Sequence, residues 1–276
     1  MSGRRDWLAH LVLGLGAALF LLPIWLAFCA ATLDPAAIDR GELSLVPRLD
    51  HLGVFLEVLR HGGPGVGPVW RMLAVSAAMA LAIALGKIAI SILSAYAVVF
   101  FRFPFRRTAF WIIFVTLMLP VEVRIIPTYA VMADLHFIDT FQGLTVPLIA
   151  SATATLLFRQ TFVAIPDELL EAARMDGAGP LRFLWDVVLP VSAANLAALF
   201  VILFVYGWNQ YLWPLLAATS PRLDTVVIGI VKMIGSDTST EWNKVMATAV
   251  LALVPPVLVV VGLQRWFVKG LTEGEK

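Results

Sequence analysis

Six stretches of this chain are long and apolar enough to cross a membrane. They run roughly over residues 8–31, 70–99, 109–132, 143–163, 192–217 and 245–268. A helix crossing a ~30 Å hydrocarbon core needs about 20 mostly apolar residues. In lipid only helices and closed barrels satisfy every backbone group. The six stretches are continuous and lack the alternation of a barrel strand, so they read as helices. The expected fold class is therefore an all-α membrane protein with six transmembrane helices. Composition agrees: 60% of the 276 residues are hydrophobic and 14% charged. Soluble domains average about 45–50% and about 25%. Residues 1–276 read as a single transmembrane domain.

The first stretch follows Arg4 and Arg5, as a signal peptide would. It is longer than an h-region of about 7–15 residues, so it is expected to stay as a first span. The one cysteine, Cys29, leaves no internal disulfide to form, and a net charge of +1 gives no basic surface for nucleic acid. With six spans, 11 Lys and Arg fall on the side of the termini and eight on the other, with Lys87 inside a span. Arg102, Arg106 and Arg107 crowd the short loop between the second and third spans. The bias places both termini in the cytoplasm of a multi-pass inner-membrane protein. The outer loop, about 32–69, ends in Gly62, Gly63, Pro64, Gly65, Gly67 and Pro68, a turn-rich connector.

The inner loop between the fourth and fifth spans, about 164–190, has the grammar of two short helices. Pro166 suits a first helical position, and Asp167 and Glu168 place negative charge in the first turn. Gly177 can adopt the left-handed conformation that ends a helix. Pro180 can start a second helix, closed by Pro190. Leu169, Leu170, Ala172, Ala173 and Met175 make the first helix partly apolar, so it is expected to dock on something. An interfacial helix lying on lipid would favour basic and bulky residues instead.

Glu171-Ala172-Ala173, then three residues, Gly177, then nine residues, Val187, one residue and Leu189-Pro190, resembles the EAA loop of ABC importer permeases. The single departure is Val187 for isoleucine. Further fragments are similar to the carbohydrate-uptake (maltose-type) permeases, most of all to those for sn-glycerol-3-phosphate. They include Phe101-Arg102-Phe103-Pro104, Leu119-Pro120-Val121-Glu122-Val123-Arg124, Ser151-Ala152-Thr153-Ala154-Thr155, Phe158-Arg159-Gln160 and Tyr206 through Pro214. The resemblance implies that the loop is a coupling helix seated in a cleft on a cytoplasmic ATPase. Glu168, Glu171, Ala172, Ala173, Asp176, Gly177, Leu189 and Pro190 would form that contact or shape it. It also implies a heterodimer with a sister permease, two ATPase copies that bind ATP and Mg, and a periplasmic binding protein. This chain would bind no cofactor of its own.

Polar groups at membrane depth are costly and mark a cavity or a partner. Lys87 lies deep in the second span; it can face substrate or take a packing partner. Glu122 and Arg124 follow Pro120, and Pro120 and Pro127 should break or bend the third span. A guanidinium there suits a phosphate monoester, though a Glu122–Arg124 contact is the plainer reading. Arg159 reads as an inner-interface anchor, with a phosphate contact as the lesser alternative. Trp208, Asn209, Gln210 and Trp213 suit a polyol, rings stacking on CH faces and amides on hydroxyls. The same residues also suit an interfacial belt or helix contacts. A turn is expected near Pro214. No phosphate-loop pattern, no metal-ligand spacing among the four histidines and no nucleophile elbow is found, so the chain reads as a transport subunit and not an enzyme. Two alternatives stay open: a permease for another sugar or polyol, and a mainly structural half of the pair.

Overall fold

The computed structural model describes residues 3–42, 44–116, 121–235 and 240–272. All regular elements among the described residues are helical. In chain order they are α1 (Gly3–Ala31), α2 (Pro35–Asp39), α3 (Gly53–His61), α4 (Val69–Phe100), α5 (Arg106–Val115), α6 (Val121–Asp134), α7 (Phe141–Thr145), α8 (Ala152–Val163), α9 (Asp167–Met175), α10 (Pro180–Phe183), α11 (Leu189–Val191), α12 (Ala193–Trp208), α13 (Leu212–Ala217), α14 (Val226–Ile234) and α15 (Trp242–Thr272).

Among the described residues, three helices are long and apolar enough to span a bilayer: α1, α4 and α15. Phe141–Leu148 with Ala152–Val163, and Pro180–Val191 with Ala193–Trp208, form two pairs bent by 48° and 78°. Counting each bent pair as one span gives five. The expected third span is covered by α5 and α6; Leu119 and Pro120 between them lie outside the described residues. Pro127 does not break α6, which runs through it.

The fourth expected span is interrupted by a cap. Ser151 is extended, and its hydroxyl accepts the Ala154 N–H (3.2 Å), which starts α8. The fifth is interrupted at residues 209–211, ahead of Pro214. Pro214 stands third in α13, where a helix N–H has no intrahelical acceptor to lose, so the turn expected near it falls three to five residues earlier. The helix that Pro180 starts ends at Val191, one residue past Pro190, and the chain then bends by 78° into α12, as expected for a helix closed there. The chain opens into a π turn over Leu184–Val188 and continues to Val191. A wider turn is one way to carry a residue that has no N–H.

The chain divides into two units, 1–74 with 224–254 and 75–223 with 255–276. In the first, the segment after α1 folds back on the end of that helix. Thr32 Oγ1 donates to the Cys29 carbonyl (2.8 Å) and accepts the Arg48 N–H (3.0 Å). Trp25 Nε1 donates to Leu45 O (3.1 Å), and Phe28 stacks on Phe55. Two further helices here, α3 and α14, were not expected from hydropathy. Thr225 caps α14, and a Cβ on Gly229 would collide with the Met72 sulfur, so α14 lies tightly on the start of α4. Lys244 bridges Glu57 (2.9 Å) and Glu241 (2.8 Å), while Lys232 meets the buried Asp224 at 2.6 Å.

The second unit is centred on Met79, Ile83, Met132, Leu144, Leu148, Trp213 and Ala217. Trp213 Nε1 donates to the Gly143 carbonyl at 3.0 Å, so its polar handle is satisfied inside the core. Asp139 pins the segment before α7 to the end of α13. Its N–H donates to Ala217 O (2.8 Å), and its carboxylate accepts the N–H groups of Thr219 (3.0 Å) and Ser220 (2.7 Å). At Gly207 a Cβ would stand 2.9 Å from the Ala80 Cα, so α12 approaches α4 backbone to backbone. Small residues permit such approach between membrane helices.

Candidate functional site

The loop after α8 builds a presented surface. Asp167 and Glu168 open α9 and Arg174 closes it, each matched to the helix dipole. Pro166 stands one position earlier than expected, as the extended residue before the helix. The exit is a Schellman turn: Ala178 N–H reaches Ala173 O (2.9 Å) and Gly177 N–H reaches Arg174 O (3.1 Å). Gly177 takes φ +72°, as the helix grammar predicts.

One side of α9 is held by the protein and the other is bare. Ala173 is buried and Leu170 half-buried. Both border a cavity of about 490 Å³, shared with Tyr96, Arg102, Arg174 and Phe183. The Tyr96 hydroxyl donates to the Pro180 carbonyl (2.7 Å), and Phe183 meets Phe100 edge-on at 5.3 Å. These contacts tie the loop to the end of α4. Glu168, Glu171, Ala172, Asp176 and Gly177 are exposed, and so are Met175, Leu181 and Trp185. No side-chain partner engages Glu171 among the described residues. Leu189 is half-buried and Pro190 exposed on the following helix. A charged and apolar surface left bare in this way fits a protein partner.

A polar patch lies elsewhere in the same unit. Lys87, only 6% exposed, holds its ammonium 3.8 Å from the centre of the Tyr206 ring. Arg124, exposed on α6, is near enough to act on Lys87 electrostatically. Gln210 Nε2 donates to the Tyr206 backbone carbonyl (3.1 Å), one turn back along α12. Asn209 caps α12 and is exposed, with no side-chain partner among the described residues. Trp208 and Trp213 are buried among protein side chains. The Glu122 side chain lies outside the described residues. Sequence reasoning missed Tyr96 and Tyr206 as anchoring rings. The signal available was that each is a tyrosine inside an apolar helix, where its hydroxyl or ring face needs a partner.

Helices of membrane-spanning length and a bare acidic helix on a loop suit a subunit of a membrane transport complex. The comparisons agree. Residues 87–273 match the family model described as binding-protein-dependent transport system inner membrane component. The chain is 57% identical over 273 residues to the sn-glycerol-3-phosphate transport system permease protein UgpE of Agrobacterium fabrum, covering 98% of this chain and 96% of that one. It is 54% identical over 281 residues to UgpE of Escherichia coli O157:H7, with both chains fully covered. Among solved structures, a chain of a bacterial ABC transporter involved in import of the acidic polysaccharide alginate superposes with a TM-score of 0.81 at 23% identity, covering 97% of this chain and 98% of that one. The chain thus belongs to the family of inner membrane components of binding-protein-dependent transport systems. It is a multi-pass membrane permease subunit and not an enzyme.

Proposed function

We propose that the chain forms half of the translocation path of an ATP-driven importer for sn-glycerol-3-phosphate and, by shared chemistry, its glycerophosphodiesters. The observation that carries the substrate is identity of 54–57% along nearly the whole chain to permeases of that name. The two bent pairs and the α5–α6 segment supply the further spans of a six-span subunit with both termini in the cytoplasm, and the positive bias of the loops supports that orientation.

In this reading the Glu171 helix seats on one of two ATPase copies, which bind ATP and Mg. A sister permease supplies the other half of the path, and a periplasmic binding protein delivers substrate. Closing of the ATPase dimer draws the two coupling loops together and opens the spans outward; hydrolysis resets them. Nucleotide shifts that equilibrium only by binding one state more tightly than the other. Lys87, Glu122, Arg124, Trp208, Asn209, Gln210 and Trp213 are the candidate path residues. The cationic pair Lys87 and Arg124 supports an anionic substrate.

The test is ATP hydrolysis by the reconstituted transporter. Binding protein with glycerol-3-phosphate should stimulate it several-fold, and binding protein with maltose should not. Stimulation by a sugar and not by the phosphate would discard the substrate and keep the permease.

A further inference from the structure

Three arginines meet where α5 and α8 come together, away from the path residues. The Arg159 guanidinium lies 4.5 Å from the centre of the Phe110 ring, and Arg106 Nη1 donates to the Phe101 carbonyl (3.3 Å). Both, with Arg107, line a cavity of about 480 Å³ whose other walls include Val98, Trp111 and Val163. That volume lies within the range of small-ligand sites. The chain carries no Asp or Glu from 90 to 121 or from 143 to 166, so the elements that build the cavity offer no neutralising carboxylate. None of the three arginines forms an ion pair among the described residues.

The geometry points to a binding site for the phosphate of an anionic phospholipid head group. Three arginines suit phosphate oxygens, which guanidinium groups engage in pairs. The walls decide between a lipid and a soluble ligand. Trp111 is 59% and Val163 58% exposed, on helices that read as membrane segments, so acyl chains can lie against them. Tryptophan at such a level sits at the membrane–water boundary. Arg159 leads within a few residues to α9, so the cavity lies on the coupling-loop side. Basic pockets between spans on the cytoplasmic side are where anionic head groups bind.

The complete transporter in nanodiscs, labelled with a photoactivatable phosphatidylglycerol and then with its phosphatidylcholine counterpart, tests this. Adducts are mapped on this chain by peptide mass spectrometry. The glycerol lipid should label residues 98–111 and 159–163 at least fivefold more than the choline lipid. The triple variant Arg106→Gln, Arg107→Gln, Arg159→Gln should lose that excess while labelling elsewhere is unchanged. The triple lysine variant should keep part of it. Equal labelling by the two lipids in the unaltered protein overturns the proposal without any mutant, and so does unchanged labelling in the glutamine variant. Loss of the adducts on adding millimolar inorganic phosphate, with ionic strength held constant, would assign the cavity to a free anion and overturn the lipid.

Discussion

Lys87 and Tyr206 form a cation–ring pair inside the second unit, with the ammonium 3.8 Å from the ring centre. A lysine buried beside a ring and near Arg124, with no carboxylate holding it among the described residues, has unmet demand for an anion. Lys87→Met should therefore raise the half-saturation concentration for glycerol-3-phosphate uptake roughly tenfold. Tenfold is about 1.4 kcal/mol, the low end of what a charge-assisted hydrogen bond is worth. Tyr206→Phe keeps the ring and should stay within about twofold. Tyr206→Leu removes a contact of about 1–2 kcal/mol. Uptake of labelled substrate, normalised to the amount of subunit in the membrane, measures all three. Unchanged uptake in Lys87→Met would take this residue out of the path.

Glu171 stands exposed on α9 without a partner of its own, so altering it should leave the membrane fold intact. Glu171→Lys should abolish substrate-stimulated ATP hydrolysis while subunit abundance stays within about 20% of normal, a surface change being worth ~0.5 kcal/mol or less. Hydrolysis by the purified complex and immunoblotting of membranes give the two readings. Full stimulation in the variant would show that the bare carboxylate does not engage the ATPase.

Gly177 holds φ +72° with open space where a Cβ would be, so any cost of substitution there is conformational and not steric. Asn tolerates this region and should support near-normal uptake. Ala should destabilise the bend by about 1–2 kcal/mol, and the β-branched Val by more. Co-purification of the ATPase with the permease should fall in the order Gly, Asn, Ala, Val. A flat series would mean that the bend is not needed for docking.

The features legible in sequence were local ones. Long apolar runs mark α1, α4 and α15 because the bilayer sets one length scale, and Gly177 marks its bend because only one backbone region is at issue. The break at Ser151 was hidden and that at Asn209 was placed a few residues late, since hydropathy averages across a cap or a helix end without registering it. Helix α14 was hidden because nine residues rise only about 13 Å, too little for a span and too apolar for an expected loop. Pro214 and Pro190 located breaks only to within a few residues, because proline at the start of α13 gives up no intrahelical hydrogen bond and a wider turn before Val191 accommodates the other. Of the candidate path, the residue types were visible and their grouping was not. Lys87 and Tyr206 lie on different helices, and only the close approach of α4 and α12 at Gly207 brings them together.

That approach carries its own prediction. At Gly207 an added Cβ meets the Ala80 Cα at 2.9 Å, and a backbone atom cannot rotate aside as a side-chain tip can. Gly207→Ala must push α12 from α4 by several tenths of an ångström and should cost about 1–3 kcal/mol, the usual range for overpacking. Gly207→Leu should prevent assembly. Ala80→Gly removes the neighbouring Cβ but not the Cα, so it should rescue Gly207→Ala only in part. Thermal stability of the detergent-solubilised complex by fluorescence-detected size exclusion would show the midpoint falling by a few degrees for Gly207→Ala. A midpoint unmoved by Gly207→Leu would mean that the two helices do not touch at this level in the membrane.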